Sequence, residues 1–284
     1  MEPISACIIV RNEEKNIRDC LESVKWVAEI VVVDAFSEDN TVSVCKEYTD
    51  RVLQRKWTGF YDQLSFAFQN ARNPWILYIE ADERLSPELK EEIQREFSKG
   101  GVPWDGFSVP RLTQFLGRWI HHGTWYPDRL NRIFRKDKLI LIGPDPHLKM
   151  RINGSVKKLQ GHLLHYTGQD ISSFLKKMDY YTASIATAKR EQGKACRWWD
   201  LIVRPPVRFF KSYIFKAGFL DGRQGFIIAV LSSFYVVTKY IKLWEMELKG
   251  KKTGVRRQES EDRSQKSGVR RLKIILNPVS CLLN

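Results

Sequence analysis

Two carboxylates one residue apart, Glu80 and Asp82, close an apolar run that begins Trp75-Ile76-Leu77-Tyr78-Ile79. The run is rich in strand formers, and on a strand alternate side chains share a face, so the spacing predicts the two acids side by side. Like carboxylates held together repel, and a cation joining them removes the conflict. Hard oxygen ligands of this kind suit magnesium or manganese. The plainer alternative is a strand running into a solvated acidic turn. A further acid, Asp34, ends the most β-branched run, Ile30-Val31-Val32-Val33, and the polar tetrad Arg11-Asn12-Glu13-Glu14 ends a third run, residues 5–10.

Helical patterns lie between these runs. Ile17, Leu21 and Val24 fall on one face, a short helix is predicted from Thr41, and Leu64, Phe68 and Ala71 recur at helical spacing after Gly59. Strand–helix alternation predicts a parallel sheet covered by helices on both faces, with ligands at the carboxyl ends of the strands. Arg11 to Glu14, Asp34, and Glu80 to Asp82 all fall at such ends, which points to a bound ligand with phosphate and metal. A dinucleotide fold needs a glycine-rich first turn, absent here, and no P-loop occurs. A diphosphate must therefore be held by metal and basic side chains.

The 284 residues allow one sizeable domain plus extensions, and 43% hydrophobic content supports a real core. A net charge of +14 asks for an acidic partner: nucleic acid, anionic lipid or a phosphorylated substrate. Five widely spaced cysteines without a Cys-x-x-Cys predict buried thiols in a reducing compartment. The N-terminus does not read as a signal peptide, and no uninterrupted apolar run reaches the ~18 residues of a membrane span. Ser86-Pro87-Glu88 is a strong helix start, with Leu89, Ile93 and Phe97 as its stripe. Residues 106–115 read as a strand, 116–127 as a loop over a ligand, and 130–134 with 139–142 as a hairpin. The pairs His121-His122 and His162-x-x-His165 are loosely spaced for metal ligands. From Asp170 helical patterns mix cations with large aromatics, as in Arg197-Trp198-Trp199 and Arg208-Phe209-Phe210-Lys211. They suit helices lying at a membrane interface, or an ordinary helical subdomain.

Ile8-Ile9-Val10-Arg11-Asn12-Glu13-Glu14, Val31-Val32-Val33-Asp34-Ala35-Phe36-Ser37 and Ile79-Glu80-Ala81-Asp82-Glu83, in this order, resemble family 2 glycosyltransferases of the GT-A fold. Phe115-Leu116-Gly117-Arg118-Trp119-Ile120, Trp125-Tyr126-Pro127-Asp128-Arg129, Arg132-Ile133-Phe134-Arg135 and Gly218-Phe219-Leu220-Asp221-Gly222 are similar to bacterial lipopolysaccharide core β-glucosyltransferases, so the resemblance covers roughly residues 5–249. It implies a nucleotide-sugar donor such as UDP-glucose, a divalent Mg or Mn cation, and inverting transfer to a lipid-linked saccharide. On the motifs, Arg11, Asn12, Glu13, Asp34, Gln63, Glu80 and Asp82 would bind the nucleotide sugar, with Asp82 and Glu80 on the metal.

Three departures stand out. Glu80 replaces the usual Asp. Gln63-Leu64-Ser65 lacks a cation that the family commonly has there. The usual His-acid pair of the base loop appears as His147-Leu148, which leaves Asp145, Asp128 and His147 as candidates for the general base. A Gln-x-x-Arg-Trp signature is missing, favouring single transfer over polymerisation.

The expected organisation is an α/β GT-A domain with a mostly parallel sheet over residues 1–168, a basic amphipathic helical extension over 169–249, and a basic, disordered tail over 250–284. The expected place is peripheral, on an anionic membrane surface at the inner face of the cytoplasmic membrane. Nucleic acid is not expected, because a phosphate groove would not line itself with carboxylates without a metal. The alternatives are a non-catalytic basic membrane- or nucleic-acid-binding protein, or an inactive family member.

Overall fold

The computed structural model describes residues 1–143, 148–167 and 170–275, with the backbone alone from residue 250 onward. Strands β1 (Ile4–Val10), β2 (Glu29–Asp34), β3 (Val52–Gln54) and β4 (Trp75–Tyr78) alternate with helices α1 (Ile17–Val24), α2 (Thr41–Lys46) and α3 (Phe60–Asn70). They form the parallel half of a sheet in the order β3-β2-β1-β4. β1, β2 and β4 are buried almost throughout, as continuous apolar runs require when both faces are covered. Alternate residues go to opposite layers: Ile4, Ala6, Ile8 and Val32 pack in one core cluster, Cys7, Val31 and Val33 in the other. The buried Cys7, Cys20 and Cys45 are free thiols. Burial, the largest influence, pushes all three up, Cys45 to about 12, so they are inert. Cys281 lies outside the described residues.

Beyond β4 the chain makes β5 (Glu83–Leu85), α4 (Pro87–Ser98), β6 (Gly106–Phe115), β7 (Arg118–Ile120), β8 (Asp128–Arg135), β9 (Leu139–Ile142), β10 (Lys149–Ile152), β11 (Val156–Lys158) and β12 (Leu163–Tyr166). The α4 start is as expected: Ser86 Oγ accepts from Leu89 N at 3.2 Å, Pro87 opens the helix, and Leu89, Ile93 and Phe97 are buried. β8 enters antiparallel between β4 and β6, and β12 joins β6 to β5, completing the order β3-β2-β1-β4-β8-β6-β12-β5. The expected hairpin of residues 130–134 with 139–142 does not form. Ile133 and Phe134 are fully buried in the large sheet, whereas β9 pairs with β10 in a separate two-stranded sheet. Within residues 116–127, expected as loop, Arg118–Ile120 pairs back on β6 through the turn Leu116-Gly117, both with positive φ.

The chain divides into two compact units, Met1–Asp170 with Lys211–Ala229, and Ile171–Phe210 with the remainder. Residues 211–229, expected in the helical extension, thus belong to the sheet unit. Hydrogen bonds to residues 118–123 tie them there: Gly123 N donates to Lys216 O at 2.9 Å, His122 N to Asp221 Oδ2 at 2.8 Å, and Arg118 to Leu220 O at 3.3 Å. The helical unit holds α5 (Ile171–Glu191), α6 (Trp198–Ile202), α7 (Arg204–Phe210) and most of α8 (Gly222–Ile275). The basic tail is therefore helical as far as Ile275, not irregular. Its Lys, Arg, Glu and Gln are good helix formers, and no proline intervenes before Pro278. Although no uninterrupted apolar run is long enough, the stretch Gly218–Lys249 is long and apolar enough to cross a membrane by length and composition, and 22% of its most apolar window is buried.

Candidate active site

The carboxyl ends of β1 and β2 carry two loops knitted into one wall. Asn12 N donates to Ser37 Oγ at 2.9 Å and Asn12 Oδ1 accepts from Glu38 N at 2.8 Å. Glu13 N donates to Thr41 Oγ1 at 2.7 Å, and Glu14 Oε2 accepts from Asn40 N at 3.2 Å. Asn12 and Phe36 both have positive φ, which Asn tolerates and Phe does not, so the Phe36 backbone is held under local strain. Arg11 is exposed beside this wall, and Phe36 is 52% exposed on it.

Asp34 lies at the end of β2 as expected, but fully buried. Its carboxylate accepts from Ser37 N and Oγ and from Gln54 Nε2 at 3.2 Å, so it organises the turn Ala35–Ser37. Direct contact with a nucleoside requires that turn to open. Gln63 is buried too, and its Nε2 donates to the carbonyls of Arg55 and Lys56 at 3.1 and 3.0 Å. It braces the chain after β3 instead of presenting its amide nitrogen to a donor.

Glu80 and Asp82 do not share a strand face. β4 ends at Tyr78, and Glu83 N bonds Glu80 O at 2.9 Å, so the two acids stand on a turn that sends them to different partners. Arg132 of β8 reaches Glu80 Oε1 and Glu83 Oε1 at 2.7 Å each and lies 4.5 Å over the Tyr78 ring. Arg132 is 5% exposed and Glu83 fully buried. Burial, the largest influence, acts to raise both carboxyls. At Glu80 the guanidinium outweighs it and holds the carboxyl below the ordinary value, whereas Glu83 stays raised. Arg111 of β6 continues the series, 3.6 Å from Glu83 and 2.7 Å from Asp128 Oδ2. The charges Asp128, Arg111, Glu83, Arg132 and Glu80 therefore alternate in sign across the sheet.

Asp82 turns the other way, with its Oδ2 3.3 Å from His165 Nε2 on β12. The other ring nitrogen, Nδ1, lies 3.3 Å from Thr113 Oγ1. Pairing of β12 with both β5 and β6 brings these three together. Among the described residues no group of three or more His, Cys, Asp or Glu side chains converges on one point. A carboxylate and an imidazole whose far nitrogen is already engaged could nevertheless supply two ligands to a divalent ion, the rest coming from diphosphate oxygens and water. Glu80, expected as a second ligand, is committed to Arg132. His165 was legible only as half of a loosely spaced His pair, and Arg111 carried no local signal.

On the side of the sheet unit that carries β7, residues 116–126 are packed from within. Trp119 meets Tyr166 with ring centroids 5.1 Å apart, Trp125 meets Phe115 at 5.3 Å, and Tyr126 Oη lies 3.0 Å from His162 Nε2. Burial, the largest influence, holds the His162 imidazole below its ordinary value. The segment 211–229 clips the same loop. Buried Asp221 accepts from His121 N and His122 N at 3.3 and 2.8 Å and lies 3.1 Å from His122 Nδ1, while Gly123 N donates to Lys216 O at 2.9 Å. The Gly218–Gly222 motif thus positions the loop, a role that its residues did not disclose.

Asp128 keeps its place as a base candidate, with Arg111 on one oxygen. Asp145 and His147 lie outside the described residues.

The Glycosyl transferase family 2 model matches residues 5–159. The chain is 29% identical over 283 residues to an uncharacterized glycosyltransferase of Rickettsia felis, covering 94% of this chain and 98% of that protein. It is 30% identical over 250 residues to the lipopolysaccharide core biosynthesis glycosyltransferase LpsC of Rhizobium meliloti, covering 86% and 92%. Glucosyl-3-phosphoglycerate synthase from Mycobacterium tuberculosis, in complex with Mn2+ and uridine-diphosphate-glucose, aligns at 14% identity with a TM-score of 0.48, covering 68% of this chain and 79% of that one.

Proposed function

The chain belongs to glycosyl transferase family 2 and is a glycosyltransferase, and from that premise we propose that it moves a hexose from a uridine diphosphate sugar, such as UDP-glucose, to the saccharide of a lipid-linked lipopolysaccharide core. The observation that carries this reading is the meeting of Asp82 and His165, while Asp34 and the knitted wall of Asn12 and Glu13 stand at strand ends of the same sheet. The acceptor class is supported by LpsC, a full-length relative named for lipopolysaccharide core biosynthesis.

In this mechanism Asp82 and His165 would hold a divalent Mn or Mg ion, which offsets the charge that builds on the leaving diphosphate. Glu80, fixed by Arg132, keeps the turn that carries Asp82 in place. The wall at Arg11 to Glu13 faces the nucleoside. An acceptor hydroxyl oxygen attacks the anomeric carbon from the side opposite the diphosphate. The bond from that carbon to the phosphate oxygen breaks, and the diphosphate leaves with the electron pair. The hydroxyl proton passes to a general base, for which Asp145 is the first choice, Asp128 the reserve and the His147 imidazole the third.

A lipid-linked acceptor places the enzyme peripherally, at the inner face of the cytoplasmic membrane. The little-buried apolar stretch of Gly218–Lys249 supports that placement, with Lys239 and Lys242 spaced along it as on a helix lying at an interface. Donor-dependent release of uridine diphosphate, screened over several nucleotide sugars with a core saccharide acceptor, is the test. Release from a UDP-hexose that depends on acceptor supports the reading, and release from none of the donors overturns it.

A further inference from the structure

We propose that the helical unit holds a phosphate group of an anionic membrane lipid between Lys189 of α5, Arg204 and Arg208 of α7, and Lys239 of α8. This inference rests on the peripheral membrane reading above and adds a defined site to it.

Three of these cations surround one ring. Lys189 Nζ lies 5.2 Å from the centroid of Tyr240, Arg204 Cζ 5.5 Å, and Lys239 Nζ 5.1 Å. Tyr240 is itself 5% exposed, so the ring forms a floor below the charges. The charged groups facing Lys239 are Lys189 from α5, Asp200 from α6, and Arg204 and Arg208 from α7. Asp200 is ion-paired with Arg204 and is the one carboxylate in this group, so four cations share a single anion. Burial, then Lys189, Arg204 and Arg208, hold the Lys239 ammonium below its ordinary value, and burial does the same to Arg208. Like charges gathered in partial shelter from water are unfavourable until an anion joins them. A phosphate oxygen cluster, with several acceptors and one or two charges, matches guanidinium and ammonium donors at this spacing.

The surroundings choose between sources of phosphate. Val203, Val207 and Phe210 recur at i, i+4 and i+7 and are 48%, 56% and 52% exposed. Arg204 and Arg208, at i and i+4, form the adjacent face of the same helix. Trp198 and Trp199, about half exposed, lead into it. On α8, Phe234, Ile241 and Trp244 are similarly exposed. A free phosphate ion needs no such apolar border. A lipid supplies a phosphate for the cations and acyl chains for the border, with aromatic side chains at headgroup level.

The test is co-sedimentation of the full chain with vesicles of phosphatidylcholine alone, or phosphatidylcholine with phosphatidylglycerol or phosphatidic acid. Arg208→Gln/Lys239→Gln is compared with Lys176→Gln/Lys177→Gln, which removes the same charge from exposed positions elsewhere on α5. If only net charge matters, both lose equally, about fivefold per charge. The site requires Arg208→Gln/Lys239→Gln to lose at least about tenfold more on anionic vesicles, and Arg208→Lys/Lys239→Arg to recover most of it. In a parallel melt, inorganic phosphate should raise the Tm of the wild type and of Lys176→Gln/Lys177→Gln but not of Arg208→Gln/Lys239→Gln, since a ligand stabilises the state that binds it. Should that double variant fail to fold, Lys239→Gln against Lys176→Gln carries the comparison. Equal losses in the two variants, with no difference between them in the phosphate melt, overturn the site and leave the membrane reading standing. Phosphate stabilisation without a vesicle difference overturns the lipid assignment. Wild-type protein that sediments with no vesicle overturns the membrane reading and this site together.

Discussion

His165 Nε2 lies 3.3 Å from Asp82 Oδ2, while its Nδ1 is engaged by Thr113 Oγ1. That arrangement leaves Nε2 as the ring atom able to bind a cation beside Asp82. Thr113→Val is expected to raise the manganese concentration for half-maximal turnover by about 10- to 100-fold at most, and His165→Ala by more. Asp82→Asn should abolish turnover with the fold intact, because an amide cannot supply an anionic ligand. An unchanged metal titration for His165→Ala would remove it from the site.

Arg132 stands between two carboxylates, one of them fully buried. Arg132→Met should destabilise the protein by about 3–5 kcal/mol, chiefly through the stranded Glu83. Adding Glu83→Gln should recover part of the loss. Denaturant titration at neutral pH decides, and a double variant no more stable than Arg132→Met alone would count against the assignment.

Asp221 acts on the 121–123 loop through two backbone N–H groups and one imidazole. Asp221→Asn retains one acceptor but loses the charge. The acceptor KM should rise several-fold while the donor KM stays put. Equal movement of both constants would show that Asp221 merely supports the fold.

The base can be found by elimination. Asp145→Asn should lower kcat by ~10²-fold or more with donor affinity unchanged. Asp128→Asn should cost less, since Arg111 already occupies one of its oxygens. If Asp145→Asn, Asp128→Asn and His147→Ala all keep kcat, none of the three is the base.

Asp62 is held at about 2, first by the Arg55 side chain and then by Thr58. A carboxyl depressed in the folded state adds stability above its unfolded value, near 4, and loses it as pH falls through its folded value. Asp62→Asn should therefore be less stable than wild type at pH 5, with the gap closing toward pH 2. Denaturation midpoints across that range check this, and a gap that persists at pH 2 would exclude the ionic cause.

The parallel half of the sheet was legible because its evidence is local. Continuous apolar runs, helical spacing and the Ser86-Pro87 cap each describe a few adjacent residues. Glu80 and Asp82 were identified, but their partners were not. A turn after Tyr78 breaks the period of two, and Arg132 and His165 arrive from β8 and β12, whose adjacency no periodicity records. The helix through residues 250–275 was missed for a different reason. A polar, charged composition argues against burial in a core, but it does not argue against local helix formation.

The alternating series from Asp128 through Arg111, Glu83 and Arg132 to Glu80 also limits how this enzyme can evolve. Loss of Arg132 alone strands Glu83 in a buried setting, so that single change passes through an unstable intermediate, whereas without Glu83 each arginine keeps its other acid. Viable paths replace partners together or pass first through a neutral isostere at Glu83. The exposed Arg11 carries no such debt, so new donor preferences should arise at the rim of the sheet sooner than at its centre.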